Sequence, residues 1–173
     1  MGIDENCVSS ARRFNHVSIR VSDMEKSLHF YEVVLGMKRL LELSFDDLAI
    51  VLLGYPEGGG PEKVLSREGV LELICSKHPR GYVTNPVSHS RLGLVKLCFL
   101  VPDLSGCLDR IKEYNVSVIK EPGATLGEEL IARALGAAFD GRICDRALRE
   151  SVSAVSFIED PDGYLLELVQ SLT

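Results

Sequence analysis

Apolar and polar residues alternate with a period of two where the ordered pattern begins. In the segment 14–21, FNHVSIRV, valine and isoleucine alternate with His16, Ser18 and Arg20. This period is typical of a β-strand that buries one face and presents polar side chains on the other. The polar face of this strand therefore carries candidates for function, while residues 1–13 show no pattern and are expected to form a disordered tail.

The rest of the first half continues with one helix and three strands. Asp23 is suited to cap a helix whose apolar residues recur at a spacing of three to four before Gly36. Short β-type runs follow at 37–43, 48–54 and 70–75, separated by turn-forming residues. The first half is therefore predicted to fold as β-α-β-β-β.

The second half repeats this order. The pattern predicts strands at 94–101, 116–120, 154–159 and 164–170, and a helix at 104–114. The phrases RVSDMEKSLHFY and LVPDLSGCLDRI each combine a strand end, an aspartate and an amphipathic helix. We expect an α+β fold of paired βαβββ modules within a single domain, 14–173, with module one at 14–80 and module two at 92–173.

A segment at 123–151 has no counterpart in the first module. Its sequence GEELIARALGAAFD has apolar residues at helical spacing, so a helical insertion is expected. The segment is either a surface excursion or a lid over a pocket, and as a lid it would supply wall residues such as Leu130, Ile131 and Phe139.

The charge and the apolar content of the chain argue against some classes of binding partner. The chain has 19 basic and 25 acidic residues, and no run of lysine or arginine forms a stripe that could follow phosphates. No apolar stretch approaches the ~20 residues that span a bilayer, and the N-terminus lacks a signal-peptide pattern. Five cysteines without a CxxC pair are typical of reduced thiols. We expect a cytoplasmic protein that binds neither nucleic acid nor membrane.

Three phrases together resemble a known family. FNHVSIRVSDMEKSLHFYEVVLGMKRL, VLELI and SFIEDPDGYLLELVQ are similar to the glyoxalase I branch of the vicinal oxygen chelate superfamily. The resemblance covers 14–170 and implies two cupped sheets around a divalent metal, a small carbonyl substrate and a homodimer. The family's ligand positions match His16, Glu72, Lys96 and Glu167. From that match, His16, Glu72 and Glu167 are expected to meet in one cavity as metal ligands.

The residues themselves support a charged site. An ionised glutamate among apolar strand neighbours is costly unless a cation or a hydrogen-bonding partner compensates it. One imidazole nitrogen and two carboxylates would suit a divalent ion with positions left open for water or substrate. The alternative is that each side chain faces solvent on an exposed sheet face.

Lys96 departs from the family pattern, which has a metal ligand at this position. A protonated ammonium offers no lone pair to a metal. Lys96 is therefore expected to point into the site and pair with Glu72 or Glu167, in place of part or all of the metal's charge. A slip of one residue in the strand would instead turn Lys96 outward.

Two arginines are candidates for binding the substrate. Arg20 shares the strand face of His16 and matches an arginine that the family uses to hold a substrate carboxylate, which suits bidentate geometry. Arg91 is a second candidate for an anionic group. The residue four after Glu72, where glutathione-using enzymes carry an amide, is Ser76, so a true lactoylglutathione lyase is not the first expectation.

Three functions are open at this point. The first is a lyase or isomerase that removes a proton next to a carbonyl, with Glu167 or Glu72 as the base and a metal or Lys96 stabilising the enolate. The second is a ring-cleaving dioxygenase, which needs iron bound by two histidines and a carboxylate. The third is a metal-free protein that binds a small molecule.

Overall fold

The computed structural model describes residues 13–78, 93–124, 127–136, 150 and 152–171. Within the helix at 128–135 it leaves the side chains of Glu128, Ile131 and Leu135 undescribed. The chain divides into two compact units, Met1–Gly81 and Tyr82–Thr173. The expected tail lies outside the described residues except for Arg13, and the assignment of both modules to one domain stays a prediction.

The first unit contains a four-stranded sheet in the order β1-β4-β3-β2. β1 pairs with β4 in parallel, whereas β3 pairs antiparallel with both β2 and β4. Because parallel neighbours need a crossover, the helical segment after β1 carries the chain across to the other strands. The elements are β1 (His16–Arg20), α1 (Met24–Leu28), β2 (Lys38–Ser44), β3 (Leu48–Gly54) and β4 (Val70–Ser76).

The helix of this unit changes its winding midway. The Asp23 side chain accepts a hydrogen bond from the backbone N–H of Lys26 at 3.2 Å, which caps α1 as predicted. After Leu28 the chain continues as a π-helix, His29–Val34, instead of the predicted α-helix. Phe30 and Tyr31 are buried there with their rings edge to face, 5.0 Å between centroids.

The second unit repeats the sheet order as β5-β8-β7-β6, again with one parallel pair between the first and last strands. Two sheets of the same order confirm the predicted pair of βαβββ modules. Its elements are β5 (Leu97–Val101), α2 (Leu104–Glu113), β6 (Val118–Lys120), α3 (Glu128–Leu135), β7 (Ser156–Glu159) and β8 (Leu165–Gln170). β5 and β6 begin three and two residues later than predicted.

Each sheet buries an apolar face because its strands alternate. In the first unit Ile19, Val51, Leu53 and Leu73 are at most 3% exposed. In the second unit Ile158, Leu166 and Leu168 are fully buried. Burial of such side chains contributes on the order of 1.5–3 kcal/mol each before the cost of ordering the chain. The opposite face of each sheet carries the polar residues together with some buried apolar side chains, such as Leu52 and Phe157.

One helix of the expected insertion is present as α3, which ends at Gly136 in the left-handed conformation, φ +64°. Ala134 is buried in a cluster with Val155, Phe157 and Leu165, and Leu130 packs against the same cluster. The remainder of the insertion at 137–149 lies outside the described residues. No helix among the described residues is both long and apolar enough to cross a membrane.

Candidate functional site

The register between β1 and β4 places a serine opposite the first candidate glutamate. Ser18 is paired with Glu72, and its hydroxyl donates a hydrogen bond to Oε2 of that carboxylate. His16, Ser18 and Arg20 are exposed on one face of β1, while Ile19 between them is buried. This unit therefore presents an imidazole, a guanidinium and a hydrogen-bonded carboxylate on one sheet face.

His16 has a partner that the sequence patterns did not indicate. Its Nδ1 lies 2.8 Å from Oδ1 of Asn15, the residue before it. The amide nitrogen of Asn15 donates to the backbone carbonyls of Val64 and Arg67, at 2.8 and 2.7 Å. An asparagine directly before the histidine is the only signal of this contact in the sequence.

The register between β5 and β8 builds a similar arrangement in the second unit. Cys98 is paired with Glu167, and the Nζ atom of Lys96 lies 2.8 Å from Oε1 of Glu167. The two charged side chains are only 28% and 14% exposed, which limits the screening of the pair by water. The predicted contact between Lys96 and one of the two glutamates is confirmed, and the partner is Glu167.

The ammonium of Lys96 also lies over an aromatic ring. Nζ is 5.6 Å from the ring centroid of Phe157, which pairs with Glu167 across β7 and β8. A cation over a ring face is attracted by its quadrupole, by about 0.5–2 kcal/mol depending on exposure. Phe157 belongs to the apolar cluster to which α3 contributes. The insertion helix therefore packs against the group that holds the aromatic ring beside Lys96.

Both glutamates border an apolar cluster in the same way. Leu52 lies opposite Glu72 across β3 and β4, and Phe157 lies opposite Glu167. Val70 precedes Glu72 by two residues, as Leu165 precedes Glu167, and all four apolar residues are buried. A carboxylate beside apolar side chains has a stronger interaction with any nearby charge than one in water.

The pKa of the Cys98 thiol depends on burial and on two neighbouring charges. Burial raises the pKa of Cys98, the Glu167 carboxylate raises it further, and the Lys96 ammonium lowers it. A raised pKa keeps the thiol protonated near neutral pH and makes it a poor nucleophile. Cys98 therefore lines the site as a hydrogen-bonding group and not as a reactive thiolate.

Lys96 does not suit a divalent ion at the second glutamate. Within each unit, the described residues contain no group of three or more His, Cys, Asp or Glu side chains able to hold a metal. In the second unit the ammonium of Lys96 has no lone pair, and it already neutralises Glu167 at hydrogen-bonding distance. A dication at this carboxylate would have to displace the lysine against charge repulsion.

The remaining predicted site residues have different outcomes. His16 is the first residue of β1, which begins later than the start of the predicted strand segment 14–21, and its side chain is exposed. Lys96 precedes β5 instead of lying within it, because pairing with β8 begins at Leu97. Arg91 lies outside the described residues, as do Phe139 and the side chain of Ile131. The convergence of His16 and Glu72 with Glu167 in one cavity stays a prediction.

Comparison with known proteins gives one consistent family. Residues 13–168 match the family described as the glyoxalase/bleomycin resistance protein/dioxygenase superfamily. The chain is 29% identical over 182 residues to a lactoylglutathione lyase of Pseudomonas aeruginosa, an alignment that covers 98% of this chain and 88% of the relative. It is 28% identical over 162 residues to the lactoylglutathione lyase of Salmonella typhimurium, with 92% and 93% covered.

A solved structure agrees with these relatives. The trypanothione-dependent glyoxalase I of Leishmania major superimposes with a TM-score of 0.56 at 26% identity, covering 92% of this chain and 86% of that one. The names of the relatives confirm the predicted class, an enzyme of the glyoxalase I-like group of lyases and isomerases.

Proposed function

This chain belongs to the glyoxalase/bleomycin resistance protein/dioxygenase superfamily, and from that premise we propose a lyase or isomerase that removes a proton next to a carbonyl. Glu167 is the base that takes the proton. The ammonium of Lys96 stabilises the negative charge that forms on the carbonyl oxygen. The substrate is a small carbonyl compound.

The contact between Lys96 and Glu167 is the observation that carries this proposal. A base and a cation 2.8 Å apart can act on neighbouring groups of one substrate, because only the H–C, C–C and C=O bonds separate the hydrogen to be removed from the carbonyl oxygen. The partial burial of both groups strengthens their effect on developing charge. The ammonium of Lys96 also lies over the ring of Phe157, which is packed in a buried apolar cluster.

Electrons and protons balance without an oxidant. Glu167 accepts the proton, the C–H electron pair forms a carbon–carbon double bond, and the carbonyl π electrons move onto the oxygen facing Lys96. When the carbon that lost the proton bears a hydroxyl, return of the proton to the former carbonyl carbon, with transfer of the hydroxyl hydrogen to the enolate oxygen, gives an isomer with the carbonyl on the other carbon. Loss of a leaving group from the next carbon gives the lyase outcome.

Enzymes of this family typically use a divalent metal. No step of the proposed reaction is assigned to a metal. His16 and Glu72 have the donor types for a divalent ion, but Lys96 occupies the position where the family pattern has a further ligand. We assign the charge stabilisation to Lys96 for that reason. Glu72, which accepts a hydrogen bond from Ser18, is expected from the family resemblance as the second carboxylate, and that stays a prediction.

Arg20 is proposed to bind an anionic group of the substrate. Its guanidinium lies on the same face of β1 as His16 and Ser18 and is exposed. Guanidinium and carboxylate groups form paired, charge-assisted hydrogen bonds. The relatives are named for lactoylglutathione, which carries carboxylates, so this compound is a suitable first probe.

Exchange of the substrate's proton with solvent tests the proposal. The protein is incubated in deuterium oxide with S-lactoylglutathione, or with methylglyoxal and glutathione, and deuterium incorporation is followed by NMR. Lys96→Met is expected to slow incorporation by about 10²–10³-fold, since it removes the oxyanion partner. Lys112→Met is the matched control, because Lys112 also pairs with a glutamate, Glu121, but on the exposed surface.

The other two functions predict different results. A ring-cleaving dioxygenase would consume oxygen with a catechol and would not exchange the proton. A metal-free binding protein would bind the probes with no exchange in either the wild type or the control variant. Equal exchange rates for wild type and Lys96→Met would contradict the role of Lys96.

A further inference from the structure

We infer that Asn15 is a positioning residue that fixes His16 in the tautomer with its proton on Nδ1, leaving Nε2 as the acceptor nitrogen. This inference deepens the proposed function and rests on it only in placing His16 at the site. Its basis is the hydrogen bonding of one side-chain amide.

The orientation of the Asn15 amide follows from its two carbonyl partners. One nitrogen atom of the amide lies 2.8 Å from the carbonyl oxygen of Val64 and 2.7 Å from that of Arg67. Carbonyl oxygens only accept hydrogen bonds, so the amide end facing them must be the NH₂ group with its two donors. A flipped amide would set an oxygen against two oxygens, which excludes the reverse assignment.

The tautomer of His16 follows from that orientation. With both donors used, Asn15 presents its Oδ1 to Nδ1 of His16, at 2.8 Å. An amide oxygen only accepts, so Nδ1 must donate and must carry the proton. In the neutral ring the other nitrogen, Nε2, then holds the lone pair.

The segment that anchors Asn15 is itself held in place. The backbone oxygen of Asn15 accepts from the N–H of Val70 at 3.1 Å, at the start of β4. The Arg67 side chain is 6% exposed, and its Nη1 donates to the carbonyl oxygen of Gly59 at 2.6 Å. Val64 packs against the cluster that includes Val70. The carbonyls that orient Asn15 are therefore part of a packed loop.

For the proposed reaction, a fixed tautomer means that one defined nitrogen of His16 is the hydrogen-bond acceptor. A neutral imidazole without a partner exchanges its proton between both nitrogens, and only one form accepts at Nε2. With Asn15 in place, Nε2 is always the acceptor on the face shared with Ser18 and Arg20. It suits a substrate that donates a hydroxyl hydrogen, such as an α-hydroxy carbonyl compound.

Nitrogen-15 NMR of the imidazole rings tests this in the ligand-free protein, at a pH where they are neutral. In the wild type we expect His16 to show protonated Nδ1 and unprotonated Nε2. His78 serves as an internal contrast, because its Nε2 contacts the Asp47 carboxylate. Asn15→Ala should shift His16 towards the Nε2-protonated form, because it removes the acceptor for Nδ1.

Two results would overturn the inference. These are a wild-type His16 protonated on Nε2 and an unchanged tautomer in Asn15→Ala. If Asn15→Ala does not fold, the tautomer of His16 in the wild type decides the question. The readout requires no turnover, so a failure here is distinct from a failure of proton exchange in the Lys96 experiment.

Discussion

His16 and Lys96 occupy the same position of the two repeated modules, each two residues before the strand residue that lies opposite a glutamate. In the first module that strand residue is Ser18, and in the second it is Cys98. The repeat therefore places an imidazole near one carboxylate strand and an ammonium at the other. This difference between the two halves is the basis for assigning a cation to the second glutamate.

Alkylation of Cys98 should report the charges at the site. Its pKa is raised first by burial and then by Glu167, whereas Lys96 lowers it. Since the thiolate is the reactive form, Lys96→Met should slow alkylation by iodoacetamide at a given pH, and Glu167→Gln should speed it. Mass spectrometry of the Cys98 peptide over a range of pH gives both rates.

Lys112→Met is the control for that measurement and should leave the rate unchanged. The pH at which alkylation of Cys98 reaches half its maximal rate should rise in Lys96→Met and fall in Glu167→Gln. Shifts in the same direction would mean that the lysine and the glutamate do not act on the thiol through their charges.

Replacing the proposed base should abolish most proton exchange. Glu167→Gln keeps the shape of the side chain but cannot accept the proton, so we expect a loss of about 10²–10⁴-fold. Glu121→Gln, at the exposed partner of Lys112, is the matched control and should retain the wild-type rate. A Glu167→Gln protein that exchanges at the wild-type rate would assign the base to another group.

Lys120 should matter for stability, because its side chain is 4% exposed and serves three backbone carbonyls. Nζ donates to the oxygens of Glu121, Ser153 and Val155 at 3.0, 3.1 and 2.7 Å. Lys120→Met leaves these carbonyl oxygens without their donor. The variant no longer buries a charged ammonium, but this gain in free energy offsets only part of the loss. We expect the free energy of unfolding to fall by about 2 kcal/mol in urea titrations.

The exposed Lys112 again provides the comparison. Lys112→Met should leave the urea midpoint where it is in the wild type. An unchanged midpoint in Lys120→Met as well would show that water or backbone rearrangement satisfies the three carbonyls without the lysine.

The order of elements was predictable because β-type runs, turn residues and helical spacing recur in the same order in both halves of the chain. The alternation around His16 and the runs that contain Glu72 and Glu167 identify their strands directly. The family resemblance then singled out Lys96 as the unusual residue. Its pairing with Glu167 follows from a parallel register that alternation alone does not set.

Contacts made by loops were not predictable in the same way. The Asn15 amide donates hydrogen bonds to carbonyls about 50 residues away in the sequence. The charge of Arg67 is typical of an exposed residue, and only the folded loop around its guanidinium buries it. The π-helical turn at His29–Val34 has the same apolar spacing as an ordinary helix. Such features depend on tertiary packing, which overrides the local pattern.

Metal content and activity measured on the same preparation test the replacement of a metal by Lys96 most directly. We expect the purified wild type to contain no stoichiometric divalent ion by mass spectrometry and to keep its proton-exchange rate after treatment with a chelator. Lys96→His, which restores a ligand type, should bind a divalent ion more tightly than the wild type. A wild type that contains one ion per chain and loses its exchange activity on chelation would contradict the role of Lys96 as the stabilising cation.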